Sequence, residues 1–479
     1  MFNFENTYSA LSTKLFSKVL PTPVTEPSLV CWNEDLANKL GLDHTAYNKQ
    51  TLANLFSGNQ QFENSIPIAQ AYAGHQFGHF NILGDGRTIL LGEHVKDNNR
   101  FDIQLKGSGP TPYSRRGDGR GTLSSMLREY LMSEAIYSLG IATSRSLTVV
   151  ETKEIIQRQR TEHSAILTRV NSSHLRVGTF EYARYLDDEQ VLSELLNYAI
   201  KRHYPTLLAK ENPALAFVET VMNQQIDLIV DWMRVGFIHG VMNTDNCTIS
   251  GETIDYGPCA FMNAYDPKTV FSSIDTQGRY AFGNQPAIVQ WNMSCLAGAL
   301  LPLIHEKESV AIDLAQQLLN KFPELFKAKY ETMLSHKLGF EKADQSIVTF
   351  AKTFLNFLAT HKLDYTNAFL ALENEKLIDA LHLNEDFNHW RKKLNELRNE
   401  HKVDEDAAHD LMQKNNPSFI PRNHLVEEAL NEASFKKDMT LFNELLAILK
   451  RPYERSEFNS KYQTAPSNFD SGYQTFCGT

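Results

Sequence analysis

The stretch His239–Pro258, HGVMNTDNCTISGETIDYGP, constrains this chain more than any other. It sets Asp245, Asn246 and Asp255 around two short apolar segments and a Ser-Gly-Glu turn. Two β-prone runs separated by a glycine-bearing turn predict a tight hairpin, Cys247 to Ile249 pairing with Thr253 and Ile254, which would gather the three polar side chains at one end. An amphipathic helix expected over Phe217–Val235, with Val218, Met222, Ile226, Ile229, Trp232 and Met233 apolar and Gly236 as its stop, delivers the chain into this stretch.

An acidic cluster held in this way suits Mg²⁺, which takes oxygen ligands in near-octahedral geometry, one or two from protein and the rest from phosphate and water. Asn246 and Asp255 fit as ligands, with Mn²⁺ as the alternative ion, and Asp245 is left to accept a proton from an attacking hydroxyl. Protein kinases place comparable parts on a catalytic loop and in a later Asp-Phe-Gly. Here the last element is Asp255-Tyr256-Gly257, no His-Arg-Asp run exists, and the candidate base stands directly beside the Asn. The competing reading is an Asn/Asp-rich loop without chemistry.

A chain of 479 residues can bury a large core and exceeds the usual single-domain size, so at least two lobes are expected. Lys and Arg number 47 against 57 Asp and Glu, a net charge of -10, which argues against a general nucleic-acid binder. The five cysteines, Cys31, Cys247, Cys259, Cys295 and Cys477, show no CxxC or Cys/His ligand spacing. No run approaches about eighteen apolar residues and the N-terminus lacks a signal-peptide pattern, so a cytoplasmic protein without a membrane partner is expected.

Residues 1 to 65 read as an extension packed on the main body, with a helix from Asn33 to Leu40 stopped by Gly41. From Ile66 the texture is strand and turn. Gly84-Asp85-Gly86-Arg87, followed by the β-prone Thr88 to Leu91, is a turn whose backbone N–H groups and Arg could meet phosphate. No Walker-type Gly-x-x-x-x-Gly-Lys-Ser/Thr run is present, which disfavours a P-loop enzyme. Phe101 to Lys106 alternates strictly, with Phe101, Ile103 and Leu105 on one face and Asp102, Gln104 and Lys106 on the other. Gly107-Ser108-Gly109 and Gly117-Asp118-Gly119-Arg120-Gly121 then bracket Arg115 and Arg116, a glycine and arginine density suited to polyphosphate.

A helix is expected from Thr122 to Leu139, closed by Gly140 and carrying Glu129 and Glu134. Either carboxylate could reach Lys106: on the helical wheel Glu134 lies nearer the middle of the apolar face and Glu129 on its flank. Residues 146 to 180 predict a hairpin, Ser146 to Val150 outward and Ala165 to Val170 returning around a polar insert from Glu151 to His163, with Arg169 and Arg176 following. Beyond residue 185 the chain reads as mainly helical, with a loop of some thirty residues after Pro258, an apolar helix around Pro286 to Ile304, and helices with charged faces from 307 to 450.

The ordered set GDGR, LKGSG, the Glu-bearing helix, the arginine pair, HGVMNTDN, IDYGP and FGNQPAIVQWN resembles the selenoprotein O family, the YdiU proteins of bacteria. The likeness runs from about Ile66 to Leu301, and a cysteine near the C-terminus also fits. The resemblance implies an α+β, bilobed protein-kinase-like fold, a β-rich N-lobe and a helical C-lobe with N-terminal and C-terminal extensions. On that reading the segments are 1–65, an extension; 66–184, the β-rich nucleotide-binding lobe; 185–450, the helical lobe with the catalytic loop and metal site; and 451–479, a tail carrying Cys477.

By resemblance the chain is a protein adenylyltransferase that moves AMP from ATP to Ser, Thr or Tyr hydroxyls of protein substrates, with ATP reversed in the cleft. Gly84, Gly86, Arg87, Lys106, Asp118, Gly119, Arg169 and Arg176 are implied to bind ATP, the two late arginines clamping the inverted γ-phosphate. Glu129 is implied to orient Lys106, Asn246 and Asp255 to hold the metal, and Asp245 to take the proton. Some relatives tie a C-terminal cysteine to one in the loop after Asp-Tyr-Gly; here Val270 to Ile274 has no cysteine and Cys259 is the nearest candidate. A monomer is expected. The rival functions are a kinase transferring the γ-phosphoryl and a non-catalytic nucleotide sensor, a pseudokinase.

Overall fold

Strict alternation in the early strands has a consequence on both faces of one sheet. In the computed structural model, which describes residues 1–158, 160–374, 385–455, 459–466 and 469–476, nine strands form an antiparallel sheet. Its order runs Phe16–Lys18, Ile68–Gln70, Thr88–Lys96, Asn99–Lys106, Thr161–Asn171, Arg145–Gln157 and Ser28–Trp32. Phe4–Glu5 adds to Thr88–Lys96, and Gly121–Thr122 adds to Thr161–Asn171. The first 65 residues therefore supply strands to both edges of the sheet.

The two faces are apolar for different partners. Ile103, Leu105, Ile166 and Val150 point into a smaller core closed by the helices Glu34–Lys39 and Lys49–Phe56. Ala165, Leu167 and Val149, the alternate residues, join the large core that runs on through the helix Leu123–Ser138 into the helical half of the chain. Thr122 caps that helix, its hydroxyl accepting from the Ser125 N–H at 3.1 Å.

Asp102, Gln104 and Lys106, on the polar side of their strand, are buried as well. They face the helices, and each is satisfied by charge or amide partners. Asp102 accepts from Arg202 at 2.6 Å and from the His174 N–H at 2.8 Å, and Gln104 receives Arg169 at 3.3 Å. A buried charge is tolerated when paired and hydrogen-bonded in this way.

The hairpin expected after residue 146 is longer than the sequence implies. Its strands, Arg145–Gln157 and Thr161–Asn171, pair out to Gln157 and Thr161, so the polar segment from Glu151 to His163 continues the ladder past a bulge between Glu151 and Ile155. Polar residues there fill a solvent-facing stretch of β structure, a period-2 pattern that charge alone disguised.

The predicted hairpin between Cys247 and Ile254 does not form. Thr248 bridges to Arg176 and Thr253 bridges to Thr143, so each arm pairs with a neighbouring segment instead of with its twin. The turn itself persists, with the Thr248 hydroxyl accepting from the Glu252 N–H at 3.0 Å.

The helix Pro213–Val235 ends at Gly236, which takes the left-handed φ of 75° that a helix stop favours. It packs on the helices Gln285–Ile304 and Phe322–Lys337. The segment Phe282–Ile304 contains an 18-residue window with mean hydropathy 1.5, long and apolar enough to cross a membrane by length and composition, and half of that window is buried inside the protein. Gln290 and Asn292 interrupt it, so no unbroken run of about eighteen apolar residues occurs even here. Helices then continue to Leu449, with one further short α-helix, Ser460–Gln463, among the described residues.

Candidate active site

Sheet register brings the basic side chains together. Lys106 pairs across with Leu167 and Gln104 with Arg169, so Lys106 and Arg169 rise from the same face of adjacent strands. The helix Leu123–Ser138 crosses that face and sets Glu129 between them. Lys106 Nζ donates to Glu129 Oε2 at 2.5 Å, and Arg169 Nε donates to Glu129 Oε1 at 2.8 Å. Burial works against the charged carboxylate, but Arg169 and Lys106 together hold Glu129 below its usual range. Glu134, the other candidate, is committed elsewhere, gripped by Arg145 at 2.7 and 2.6 Å.

Lys106 also contacts Asp255 Oδ1, and Arg169 Nη2 lies 3.6 Å from the same oxygen. Asp255 has a φ of 67°, a left-handed conformation that Asp tolerates better than most residues, in which its carboxylate meets these two cations. Burial raises its pKa, yet Lys106, Arg169 and Arg87 overcome that and keep it well below the carboxylate range.

The catalytic-loop candidates are positioned by a dense set of backbone bonds. Val177 N–H donates to Cys247 O at 2.8 Å and Ile249 N–H to Leu175 O at 3.1 Å on one side. Ser144 N–H donates to Thr253 O at 2.9 Å on the other. His239, stacked on Trp232, bonds Ile254 O through Nε2 at 2.9 Å, and burial lowers its pKa. A neutral ring donating from Nε2 is the tautomer this geometry asks for.

Asp245 sits where three elements converge. The hairpin Ala73–Gln76 with His79–Ile82 is pinned to the loop by the His75 N–H donating to Thr244 Oγ1 at 2.7 Å, and Phe77 N–H donates to Asn243 Oδ1 at 3.1 Å. Gly74 and Gly178 allow the approach: a Cβ on Gly74 would strike the Asp245 carboxylate, and one on Gly178 would strike Ala73 O. The result is an Asp245 Oδ1 that is buried with no protein partner. Burial pushes its pKa up to about 7, with Asp255 and Glu181 adding and Arg176 opposing.

Asn246 donates its amide N–H to Val241 O at 3.0 Å, so the amide oxygen is the end left to a ligand. Together with the carboxylates of Asp255 and Asp245 this makes an all-oxygen donor set, which fits a hard divalent cation such as Mg²⁺ or Mn²⁺.

These groups line one cleft of about 550 Å³, along with Gly84, Gly86, Arg87, Asp118, Gly119 and Arg176. All the sequence-derived candidates thus converge, except that Glu129 reaches only the adjoining hollow of about 610 Å³, which shares Arg87, Lys106, Arg158, Gly257 and Ile274 with the first. Arg176 lies over the Tyr72 ring at 4.3 Å and 3.6 Å from Asp85. Asp118 is tied to Arg158 at 2.6 Å and accepts from the Arg120 N–H at 2.9 Å.

Sequence reasoning passed over Asp85, Tyr72, Asn243 and Arg158. Asp85 is buried, accepts from the Gln70 N–H at 3.1 Å and anchors the Gly84 to Arg87 turn. Its signal was an Asp-Gly pair that any turn would carry. Cys477 lies outside the described residues, and Cys259 is buried with its thiol pushed up to about 12 by burial.

With this geometry in view, the chain matches the family model described as protein adenylyltransferase SelO over residues 1–450. The chain belongs to the SelO family. Among curated relatives it is similar to the protein nucleotidyltransferase YdiU of Alkaliphilus metalliredigens, 49% identical over 483 residues with 100% of this chain and 98% of the relative covered. It is equally similar to YdiU of Bacillus cytotoxicus, 49% over 480 residues with 100% and 98% covered, and to YdiU of Pelagibacter ubique, 49% over 484 residues with 100% and 99% covered. As a SelO member it is an enzyme of the nucleotidyltransferase class, for which ATP is the substrate.

Proposed function

We propose that this SelO protein transfers AMP from ATP to Ser, Thr or Tyr hydroxyls of other proteins. The observation that carries the reading is the clustering of three buried cations, Lys106, Arg169 and Arg176, in the cleft that also holds Asp245 with its unpartnered oxygen. A polyphosphate is the natural partner for such a group of cations. The division into a β-rich lobe, 66–184, and a helical lobe, 185–450, in a protein-kinase-like arrangement, with the extension 1–65 and the Cys477 tail, belongs to the same proposal. Its support is the Glu129 helix laid against the Lys106 strand.

In this mechanism ATP lies with its γ-phosphate against Arg169 and Arg176. Gly84, Gly86 and Gly119 let backbone approach the nucleotide, with Arg87 and Asp118 beside it. The acceptor hydroxyl attacks the α-phosphorus, the bond from that phosphorus to the oxygen bridging to the β-phosphate breaks, and pyrophosphate leaves. Asp245 takes the hydroxyl proton, a role suited to a carboxylate whose pKa stands near 7. Asn246 and Asp255 would hold Mg²⁺ or Mn²⁺, which when bound neutralises charge building on the phosphates. Glu129 keeps Lys106 and Arg169 in register, so positioning and charge stabilisation supply most of the rate.

Intact-mass measurement of an acceptor protein after incubation with ATP tests the reading. An added adenylyl group is expected, and an added phosphoryl group would assign the γ-transfer alternative instead.

A further inference from the structure

Away from the nucleotide cleft, three potential ligands of different chemistry meet. His75 comes from the hairpin that abuts Asp245, Glu181 from the helix Val177–Tyr185, and Cys295 from the helix Gln285–Ile304. His75 Nδ1, a Glu181 carboxylate oxygen and Cys295 Sγ all lie within 4.8 Å of one another. His75 Nδ1 is 2.5 Å from Glu181 Oε1. Glu181 Oε2 is buried with no hydrogen-bond partner, on a side chain only 5% exposed. A buried carboxylate oxygen left in this state costs free energy unless something else meets it.

The surroundings favour one class of occupant. The His75 imidazole is fixed edge-on against Trp291, with ring centroids 5.2 Å apart, and against Phe80 at 5.3 Å. Orientation by packing is what a ligating imidazole needs. Imidazole, carboxylate and thiol together suit a borderline divalent ion, whereas Mg²⁺ prefers oxygen alone.

We propose that His75, Glu181 and Cys295 form a Zn²⁺-class site, separate from the nucleotide cleft, with a fourth position open to water. Burial and the Glu181 carboxylate push the Cys295 thiol upward, and a divalent ion reverses that by taking the thiolate, releasing one proton to solvent. Bound metal would tie the hairpin to the helices Val177–Tyr185 and Gln285–Ile304. Because the His75 N–H also holds Thr244, next in sequence to Asp245, the ion would fix the wall against which Asp245 rests.

The test uses the full-length protein, stripped with chelator and titrated with Co²⁺ and then Zn²⁺ under saturating Mg²⁺. One Co²⁺ per chain is expected with a thiolate-to-cobalt charge-transfer band in the near ultraviolet, displaced by Zn²⁺. Cys295→Ser should abolish the band, and His75→Gln should weaken Zn²⁺ by about 100-fold or more, since even outer partners of a ligand are worth about 10–100-fold. Cys31→Ser, a buried thiol in the strand Ser28–Trp32 outside the cluster, should keep the band, and a Cys295→Ser protein that melts like the wild type without metal separates lost ligation from lost folding. No band in the wild type, or a band that survives Cys295→Ser, overturns the proposal.

Discussion

Glu129 is shared by two cations from adjacent strands, Lys106 at 2.5 Å and Arg169 at 2.8 Å, and Lys106 in turn reaches Asp255. The helix, the sheet and the Asp-Tyr-Gly segment are thereby joined through one buried ionic network. Glu129→Gln removes the charge the two cations share and leaves Asp255 as the carboxylate facing both, and breaking a buried pair costs about 3–5 kcal/mol. Denaturant unfolding should show a loss of that order together with loss of transfer activity. Unchanged stability would mean that the network is solvated in solution and does not organise the site.

Asp245→Asn preserves shape and removes the proton acceptor. ATP affinity should change by about two-fold or less while transfer falls by at least about 100-fold, the lower end of what a positioned base contributes. Calorimetric binding beside a single-turnover assay separates the two. Because Asp245 is pushed up to about 7, kcat/KM of the wild type should fall about ten-fold per pH unit below that point and level off above it. A wild-type profile flat from pH 5 to 8, or an Asn variant that retains transfer, removes Asp245 from the mechanism.

Arg176 faces Asp85 and Tyr72, and Arg169 faces Glu129, so only Arg176 can be altered without stripping the Lys106 network. If Arg176 binds a γ-phosphate, Arg176→Ala removes charged hydrogen bonds worth about 1.5–3 kcal/mol, or about ten-fold or more in ATP affinity. ADP should be affected far less. Equal losses for ATP and ADP would contradict the clamp.

Glu252 tests the packing behind the loop. It accepts from Ser250 at 2.8 Å and contacts Ser172, and burial pushes its pKa up to about 7. A folded pKa above the unfolded value means that this group stabilises fully below the unfolded value, near 4.5, and that the contribution is lost as pH rises through about 7. The loss is at most about 3.5 kcal/mol at ~1.4 kcal/mol per pH unit. Glu252→Gln should therefore melt higher than the wild type at pH 8 and show a smaller gain on acidification. A variant that tracks the wild type at every pH shows that the carboxylate is solvated.

How far the sequence could be read depended on whether a signal was local. Strand alternation at Phe101–Lys106, the helix expected from Thr122 to Leu139 and the Gly236 stop each lie in a few consecutive letters, and each element formed where its letters imply. The choice of Glu129 over Glu134 was not local: it is decided by Arg145, which takes Glu134 from a strand whose position no helical wheel contains. The absent hairpin has a similar cause. Thr248 and Thr253 found partners in Arg176 and Thr143, distant in sequence, and a backbone group cannot serve both. Asp85 and Asn243 were hidden because a buried anchoring Asp or Asn has the same letters as a surface turn.

The central claim is that the α-phosphorus, and not the γ-phosphorus, meets the acceptor hydroxyl. It is tested by incubating the full-length enzyme, Mg²⁺ and an acceptor protein with ATP labelled at the α-phosphate, in parallel with ATP labelled at the γ-phosphate, and counting label retained on protein. Label from the α position alone, lost in Asp245→Asn and Asp255→Ala, is the predicted result. Label from the γ position would contradict the account and make the protein a kinase.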